Sequence, residues 1–180
     1  MAAALTVAPA SAAPRAATPT PPADATGVVE DLVLPIEDVV GEVEFLDGTE
    51  SESERGTQVT VALTSDVLFP LDKWALTPTA RQRLRQVAGK VRAETAGGVV
   101  KIEGHTDDQG SDACNLTLSR RPAQAVERAV RGVLSGAGVT LQAGGYGESR
   151  PKFPNMVEGR PIEKNREKNR RVEIVFDVKQ

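Results

Sequence analysis

Two groups of polar side chains have the residue types needed to bind a small charged ligand. The first is Gly104-His105-Thr106-Asp107, which follows a short apolar run, with Asn115 a few residues beyond it. The second is the pair Arg170 and Arg171, at the start of a late apolar run. A carboxylate, an amide and planar guanidinium groups at one rim of a sheet suit a ligand that carries both an ammonium and a carboxylate.

The same residue types argue against catalysis. His105 is the only histidine and Cys114 the only cysteine, so neither a metal site nor a nucleophile–histidine pair finds its partners. Asp107 and Asp108 are adjacent, and in an extended loop their side chains point apart, unlike paired general acid–base carboxylates. The sequence therefore predicts no enzyme, no metal and no cofactor. His105 is expected to anchor its loop through hydrogen bonds.

Spacing alone leaves each of these residues with a structural alternative. Asp107 either accepts a ligand ammonium or caps a turn, and Asn115 either faces a ligand or is the N-cap of the helix that follows. If Val172 and its alternating neighbours point inward in the last strand, Arg171 shares the opposite face with Glu173.

Charge and hydropathy restrict the class of protein. The formal net charge is −3, which does not favour a nucleic-acid binder. Residues 30–54 are acidic and residues 148–171 are rich in Lys and Arg. These segments are either solvated surfaces that balance each other or, for the basic one, the surroundings of an anionic ligand. No run approaches the ~18 apolar residues of a transmembrane segment.

The amino-terminal part predicts export and an extension. Residues 1–12 are short and apolar and end in an A-x-A pattern, which is typical of a signal peptide truncated at its start or read from an internal Met. The alternative is a plain Ala/Pro-rich tail. Residues 13–26 are rich in Pro, Ala and Thr and predict a semi-rigid linker. Residues 27–57 predict an acidic β extension of short strands, in which residues 49–56 form an exposed loop.

Residues 58–180 carry the periodicities of an α+β domain. Period-two runs predict strands near residues 58–69, 99–103, 139–145 and 171–178, and period-3.6 runs predict two helices between them. Thr77 and Pro78 mark the start of the first helix, which reaches about Ala96. Residues 146–168 predict a long polar loop. The order β-α-β-α-β-β gives a mixed sheet with two helices on one face.

Several motifs together resemble the OmpA-like family of peptidoglycan-binding domains, which also includes Pal lipoproteins and flagellar stator proteins. The similarity covers about residues 59–178. It comprises Val67-Leu68-Phe69 with Leu76-Thr77-Pro78, Ile102-Glu103-Gly104-His105-Thr106-Asp107, Asn115 with Leu118-Ser119, Gly145-Tyr146-Gly147-Glu148-Ser149-Arg150-Pro151, Glu158-Gly159-Arg160 and Asn169-Arg170-Arg171-Val172-Glu173-Ile174.

The resemblance implies binding of the diaminopimelate in the peptide stem of peptidoglycan. It assigns Asp107 to the diaminopimelate ammonium, Thr106 and Asn115 to further polar contacts, and Arg170 or Arg171 to a place near the ligand. The family pattern is Leu-Ser-x-x-Arg-Ala, and its arginine pairs with the ligand carboxylate. In this sequence Pro122 stands at the position of that arginine. If Ser119 were the N-cap, Pro122 would fall in the first turn and Arg121 would turn toward the site.

The sequence thus predicts an exported wall-binding module that acts without catalysis in the cell envelope, through Thr106, Asp107, Asn115, Arg121, Arg170 and Arg171. The alternative is a scaffold of the same fold that has weakened or lost its ligand and contacts another envelope protein.

Overall fold

The computed structural model describes residues 41–44, 50–70 and 73–180. The predicted signal peptide, the linker and residues 27–40 of the extension lie outside the described residues. In chain order the strands and helices are β1 (Gly41–Glu44), β2 (Glu50–Arg55), β3 (Gln58–Thr64), α1 (Ser65–Leu68), α2 (Pro78–Glu94), β4 (Gly98–His105), α3 (Asp112–Leu134), β5 (Val139–Gly147), β6 (Met156–Val157), β7 (Arg160–Pro161), α4 (Glu163–Asn169) and β8 (Arg171–Asp177).

The main sheet is mixed, as predicted. Its strand order is β1-β2-β3-β8-β4-β5. All neighbours pair antiparallel except β4 and β5, which are parallel and are joined through α3. The last strand of the domain, β8, therefore lies beside β4 in the middle of the sheet. This arrangement brings the start of β8 and the end of β4 to the same edge.

Side-chain N-caps define where α2 and α3 begin. The Thr77 side chain accepts a hydrogen bond from the Ala80 backbone N–H at 3.0 Å, and Pro78 takes the first helical position of α2, where no N–H is needed. In α3 the N-cap is Ser111, whose Oγ accepts from the Cys114 N–H at 3.4 Å. The start of α2 is confirmed, whereas Asn115 is not the cap of α3.

One face of the sheet is covered by α2 and α3. Along β4, Val100 and Ile102 are buried whereas Lys101 is exposed, so the alternate positions point toward the helices. The prediction of two helices on one face is confirmed. The buried core consists of aliphatic side chains and two phenylalanines: Val59, Val61, Leu63, Leu68, Phe69, Leu84, Val87, Val91, Val100, Ile102, Val126, Val130, Leu134, Val172, Ile174 and Phe176.

Three local predictions are wrong. Residues 50–55, predicted as part of an exposed loop, form β2, because this segment is held between β1 and β3 and Glu52 reaches Lys90 of α2. Residues 67–69 do not continue a strand. Leu68 and Phe69 are both buried, which a period of two does not give, and Leu68 closes α1. The predicted loop 146–168 contains β6, β7 and the greater part of α4.

Candidate functional site

The candidate site lies where β4 ends beneath the first half of α3. A Cβ on Gly104 would stand 1.9 Å from the Ser119 backbone oxygen, so strand and helix touch backbone to backbone at this point. The Ser119 Oγ accepts a hydrogen bond from the Gly147 N–H at 2.9 Å and donates one to the Leu116 carbonyl at 3.0 Å. This packing ties α3 to both parallel strands and fixes the loop that follows β4.

Asp107 is buried, and its carboxylate is fully engaged. Its Oδ2 accepts from Arg170 Nη1 at 2.7 Å, and its Oδ1 accepts from the Gln109 backbone N–H at 3.0 Å. The second of these bonds is the turn-capping role that the sequence left open, and the first joins the two predicted polar groups. Asp107 thus fills its structural role and also faces a cation.

Arg170 is shared among three carboxylates. Besides Asp107 it donates to Glu163 Oε1 at 3.2 Å, and its Nη2 lies 3.6 Å from Asp66 Oδ2. Burial lowers the pKa of its guanidinium, but the bonds to Asp107 and Glu163 outweigh this, and the pKa is raised overall. Arg170 is therefore a permanent cation at the rim of the site, with part of its side chain open to solvent.

Asn115 lies inside the site. It is buried, and its Nδ2 donates to the Asp107 backbone carbonyl at 3.4 Å and to the carboxylate of Glu148. Thr106 precedes Asp107 in the loop after β4, and its backbone N–H donates to the Gly147 carbonyl at 3.0 Å. Among the described residues, the buried Thr106 Oγ1 has no hydrogen-bond partner. Thr106, Asp107, Asn115 and Arg170 are thus connected in space.

Arg171 has a different environment from Arg170. It is buried, and its Nε donates to Glu173 Oε1 at 2.6 Å, so the predicted shared face of Arg171 and Glu173 is observed. Its two terminal nitrogens donate to the backbone carbonyls of Asn169 and Arg150 at 3.2 and 3.1 Å. Its donors therefore hold the backbone on both sides of the rim.

The segment around Pro122 differs from the expectation. Helix α3 begins at Asp112, so Pro122 lies in its interior and Ser119 is not an N-cap. The ring is buried, and it removes the N–H that would bond the Leu118 carbonyl four residues earlier. Arg121 is exposed, and its guanidinium carbon lies 6.0 Å from the centre of the Trp74 ring.

Sequence reasoning missed two contacts of the site. Arg166 of α4 makes two bonds to Asp108, from Nε to Oδ1 at 2.8 Å and from Nη2 to Oδ2 at 3.3 Å. Asn169 is fully buried, and its Oδ1 accepts from the backbone N–H groups of Lys152 and Phe153 at 2.8 and 3.0 Å. The Asn that precedes the two arginines in sequence was the available signal for the second contact.

His105 does not anchor its loop by hydrogen bonds, contrary to the expectation. Its ring is buried and stacks on Tyr146 with the ring centres 5.6 Å apart. Burial is the largest cause that lowers its pKa, to about 4, and the nearby Arg171 adds to the effect. The imidazole is therefore neutral at neutral pH. Within the described residues, His105, Glu103 and Glu173 place potential metal-ligand atoms within 4.8 Å of one another.

The arrangement offers groups of both charges and an amide to a ligand at one place. An anion, an amide and a cation meet at one rim, and the carboxylates there are bound to arginines and to backbone or amide N–H groups. A zwitterion can exchange its charges with such a pair without leaving either protein charge unpaired. In the described part of the chain, no helix is long and apolar enough to cross a membrane.

Comparisons with known proteins point to one family. A model described as the OmpA family matches residues 68–171. Among curated proteins, outer membrane porin F of Pseudomonas aeruginosa is 36% identical over 114 residues, which cover 63% of this chain and 31% of the porin. Outer membrane protein A of Bordetella avium is 34% identical over 114 residues, which cover 63% of this chain and 55% of that protein. The chain therefore spans between about a third and about half of these relatives.

Solved structures agree on the fold. A putative MotB-like protein from Desulfovibrio vulgaris is 28% identical with a TM-score of 0.57, and the match covers 74% of this chain and 83% of that one. The cell wall anchor of the type VI secretion system from Pseudomonas aeruginosa has a TM-score of 0.59 at 22% identity, with coverage of 74% and 90%. The second of these similarities concerns the fold alone.

Proposed function

Since the chain belongs to the OmpA family, we propose that residues 58–180 bind peptidoglycan without catalysis and anchor the protein to the cell wall. The bound group is the diaminopimelate of the peptide stem. The observation that carries the proposal is the buried Asp107, which faces Arg170 at 2.7 Å in a rim shared with Asn115.

The ion pair itself suggests how the ligand binds. The side-chain end of diaminopimelate has an ammonium and a carboxylate on one carbon, so it presents the same two charges as the pair. The ammonium takes the place of Arg170 on Asp107 Oδ2, and the released guanidinium turns to the ligand carboxylate. Because both protein charges stay paired, the exchange avoids an uncompensated buried charge, which is costly.

This exchange also compensates for the missing ligand arginine, whose position is occupied by Pro122. Loss of a charge-assisted hydrogen bond weakens binding by about 1.5–3 kcal/mol, which is roughly ten- to a hundredfold. In the proposal Arg170 supplies the missing cation. Arg121 is a second source, but an adjacent helical position is rotated by about 100°, and this side chain lies near Trp74. Arg171 supports the rim through its backbone contacts.

The location follows from the same proposal. The porin F and outer membrane protein A relatives are described as outer membrane proteins, and one structural neighbour as a cell wall anchor. We assign this chain to the cell envelope after export, with residues 1–12 as a signal peptide and residues 13–26 as the tether. Expression with an epitope tag and fractionation of the cells tests this: retention in the cytoplasm contradicts it.

Co-sedimentation with purified peptidoglycan tests the binding itself. We expect the full chain to sediment with diaminopimelate-type peptidoglycan, and Asp107→Asn to reduce retention at least tenfold. The matched control is Asp112→Asn, which removes a carboxylate from the exposed first turn of α3. If Asp107→Asn is retained like the wild type, Asp107 is not the ligand anchor.

A second ligand isolates the role of Arg170. Lysine-type peptidoglycan keeps the ammonium of the stem residue but lacks its second carboxylate. Arg170→Gln should reduce binding to the diaminopimelate type and leave the weaker binding to the lysine type nearly unchanged. Equal losses on both materials would contradict a contact between Arg170 and the carboxylate.

One observation favours a second candidate, a scaffold that has lost the ligand. Pro122 is buried where the family has the ligand arginine, and Arg170 already contacts three carboxylates. In that case the acidic extension that includes β2 contacts another envelope protein. Absence of sedimentation on both materials, together with recovery of a partner by cross-linking through residues 50–55, would favour the scaffold.

A further inference from the structure

Two carboxylates face each other across the central strands. Glu103 of β4 and Glu173 of β8 are directly paired in the antiparallel register, and both point away from the helices. Like charges at directly opposed positions destabilise a sheet, and each carboxylate is paired with an arginine: Arg150 lies 3.4 Å from Glu103 and Arg171 lies 2.6 Å from Glu173. His105, two residues after Glu103 on β4, is next to both carboxylates.

His105 is a buried side chain without a hydrogen-bond partner. It is 3% exposed, and neither ring nitrogen makes a hydrogen bond among the described residues. Its Nε2 points at Glu173 Oε2 from 3.7 Å, which is beyond hydrogen-bonding distance. A buried imidazole with two unsatisfied nitrogens is costly.

We propose that Glu103, His105 and Glu173 bind a divalent zinc ion. One nitrogen and two carboxylate oxygens are within the ligand chemistry of zinc, and a water completes four ligands. With bonds of about 2.0–2.2 Å in a tetrahedral site, the ligand atoms stand roughly 3.3–3.6 Å apart. In the structure these atoms lie within 4.8 Å of one another, so modest side-chain rotations close the site.

The neighbouring arginines leave an oxygen for the ion on each carboxylate. Arg171 bonds Glu173 through Oε1, whereas Oε2 is the oxygen nearest to His105. Arg150 lies 3.4 Å from Glu103 Oε2, which leaves Oε1. The arginines orient the ligands but also repel the ion. Arg150 is more than half exposed and stacks on Tyr146, so it can move away.

An open cavity borders one of the three proposed ligands, Glu103. A cavity of about 180 Å³ is lined by Glu103 and Tyr146, with Lys101 and Gln142 at its wall. It is large enough for a hydrated ion. Lys101 adds a third positive charge to this side, which weakens the binding of a cation.

The unique histidine makes the test specific. In ¹⁵N-labelled protein the imidazole spectrum contains only the His105 signals. Zinc chloride added to the full chain should change the ¹⁵N chemical shift of one ring nitrogen in the way that metal coordination does. Calorimetry should give one zinc-binding site per chain. The Cys114→Ser background is used because the exposed thiol of Cys114 would take up zinc itself. Unchanged His105 signals at a tenfold excess of zinc would overturn the proposal.

Three variants test whether the carboxylate of Glu103 binds the zinc ion and whether Arg150 competes with it. Glu103→Gln should lower zinc affinity at least tenfold, whereas Glu127→Gln on α3 should leave it unchanged. Arg150→Gln should raise the affinity several-fold by removing a competing cation. Wild-type affinity in Glu103→Gln, or unchanged or weaker affinity in Arg150→Gln, would overturn the geometry. Thermal unfolding without zinc identifies any variant that fails to fold, and Glu173→Gln then replaces Glu103→Gln.

Discussion

Replacement of Gly104 by alanine tests the contact on which the whole candidate site depends. The backbone of Gly104 is in an ordinary conformation, so only space opposes a side chain there. The added Cβ would stand 1.9 Å from the Ser119 backbone oxygen and 2.9 Å from its carbonyl carbon. An ordinary contact begins near 3.4 Å, so α3 must retreat from β4 by about 1.5 Å.

The movement of α3 lowers the free energy of unfolding through overpacking. Overpacking costs about 1–3 kcal/mol, and a clash with backbone belongs at the upper end because no rotamer relieves it. At roughly 2–4 °C per kcal/mol, a loss of about 3 kcal/mol lowers the melting temperature by ~6–12 °C. Asn115 and Ser119 would move with α3, so peptidoglycan retention should fall as well.

Thermal unfolding followed by circular dichroism measures the effect. The matched control is Gly89→Ala on the exposed face of α2, where a Cβ meets nothing within 4 Å. It should stabilise the helix by about 0.5–1 kcal/mol. A melting temperature of Gly104→Ala within about 2 °C of the wild type would refute the close packing of α3 on β4.

Three further changes test single contacts. Asn169→Ala leaves two loop amides without their acceptor and should lower the free energy of unfolding in urea by about 2–4 kcal/mol. The control Asn165→Ala loses one exposed hydrogen bond and should lower it by less than about 1 kcal/mol. Equal losses would contradict the role of Asn169 as a buried anchor. Ser119→Ala should cost about 1–3 kcal/mol by the same reasoning, and Thr117→Ala, on the exposed face of α3, should be close to neutral by the same measurement. Pro122→Arg should leave diaminopimelate affinity nearly unchanged in calorimetry, because Arg170 already pairs with the ligand carboxylate; a roughly ten- to a hundredfold gain would contradict that role of Arg170.

The regular elements of the domain were predictable because their signals are local. Thr77 and Pro78 define the start of α2 within one turn, and the alternation after Arg171 defines β8. The acidic strand β2 was not predictable in this way. Its residues 50–55 have little β propensity, and they form a strand because β1 and β3 pair with them from both sides.

The α+β order of the domain and the two polar groups around Asp107 and Arg170 can be read from the sequence, because each is encoded by neighbouring residues. Which arginine meets which carboxylate depends on the tertiary fold. Arg170 reaches Asp107 across 63 positions, whereas the adjacent Arg171 turns to Glu173 and the backbone. The reason is their place in the fold: Arg170 ends α4 and Arg171 is the first residue of β8, and only the pairing of β8 with β4 brings this junction beside the loop after Gly104.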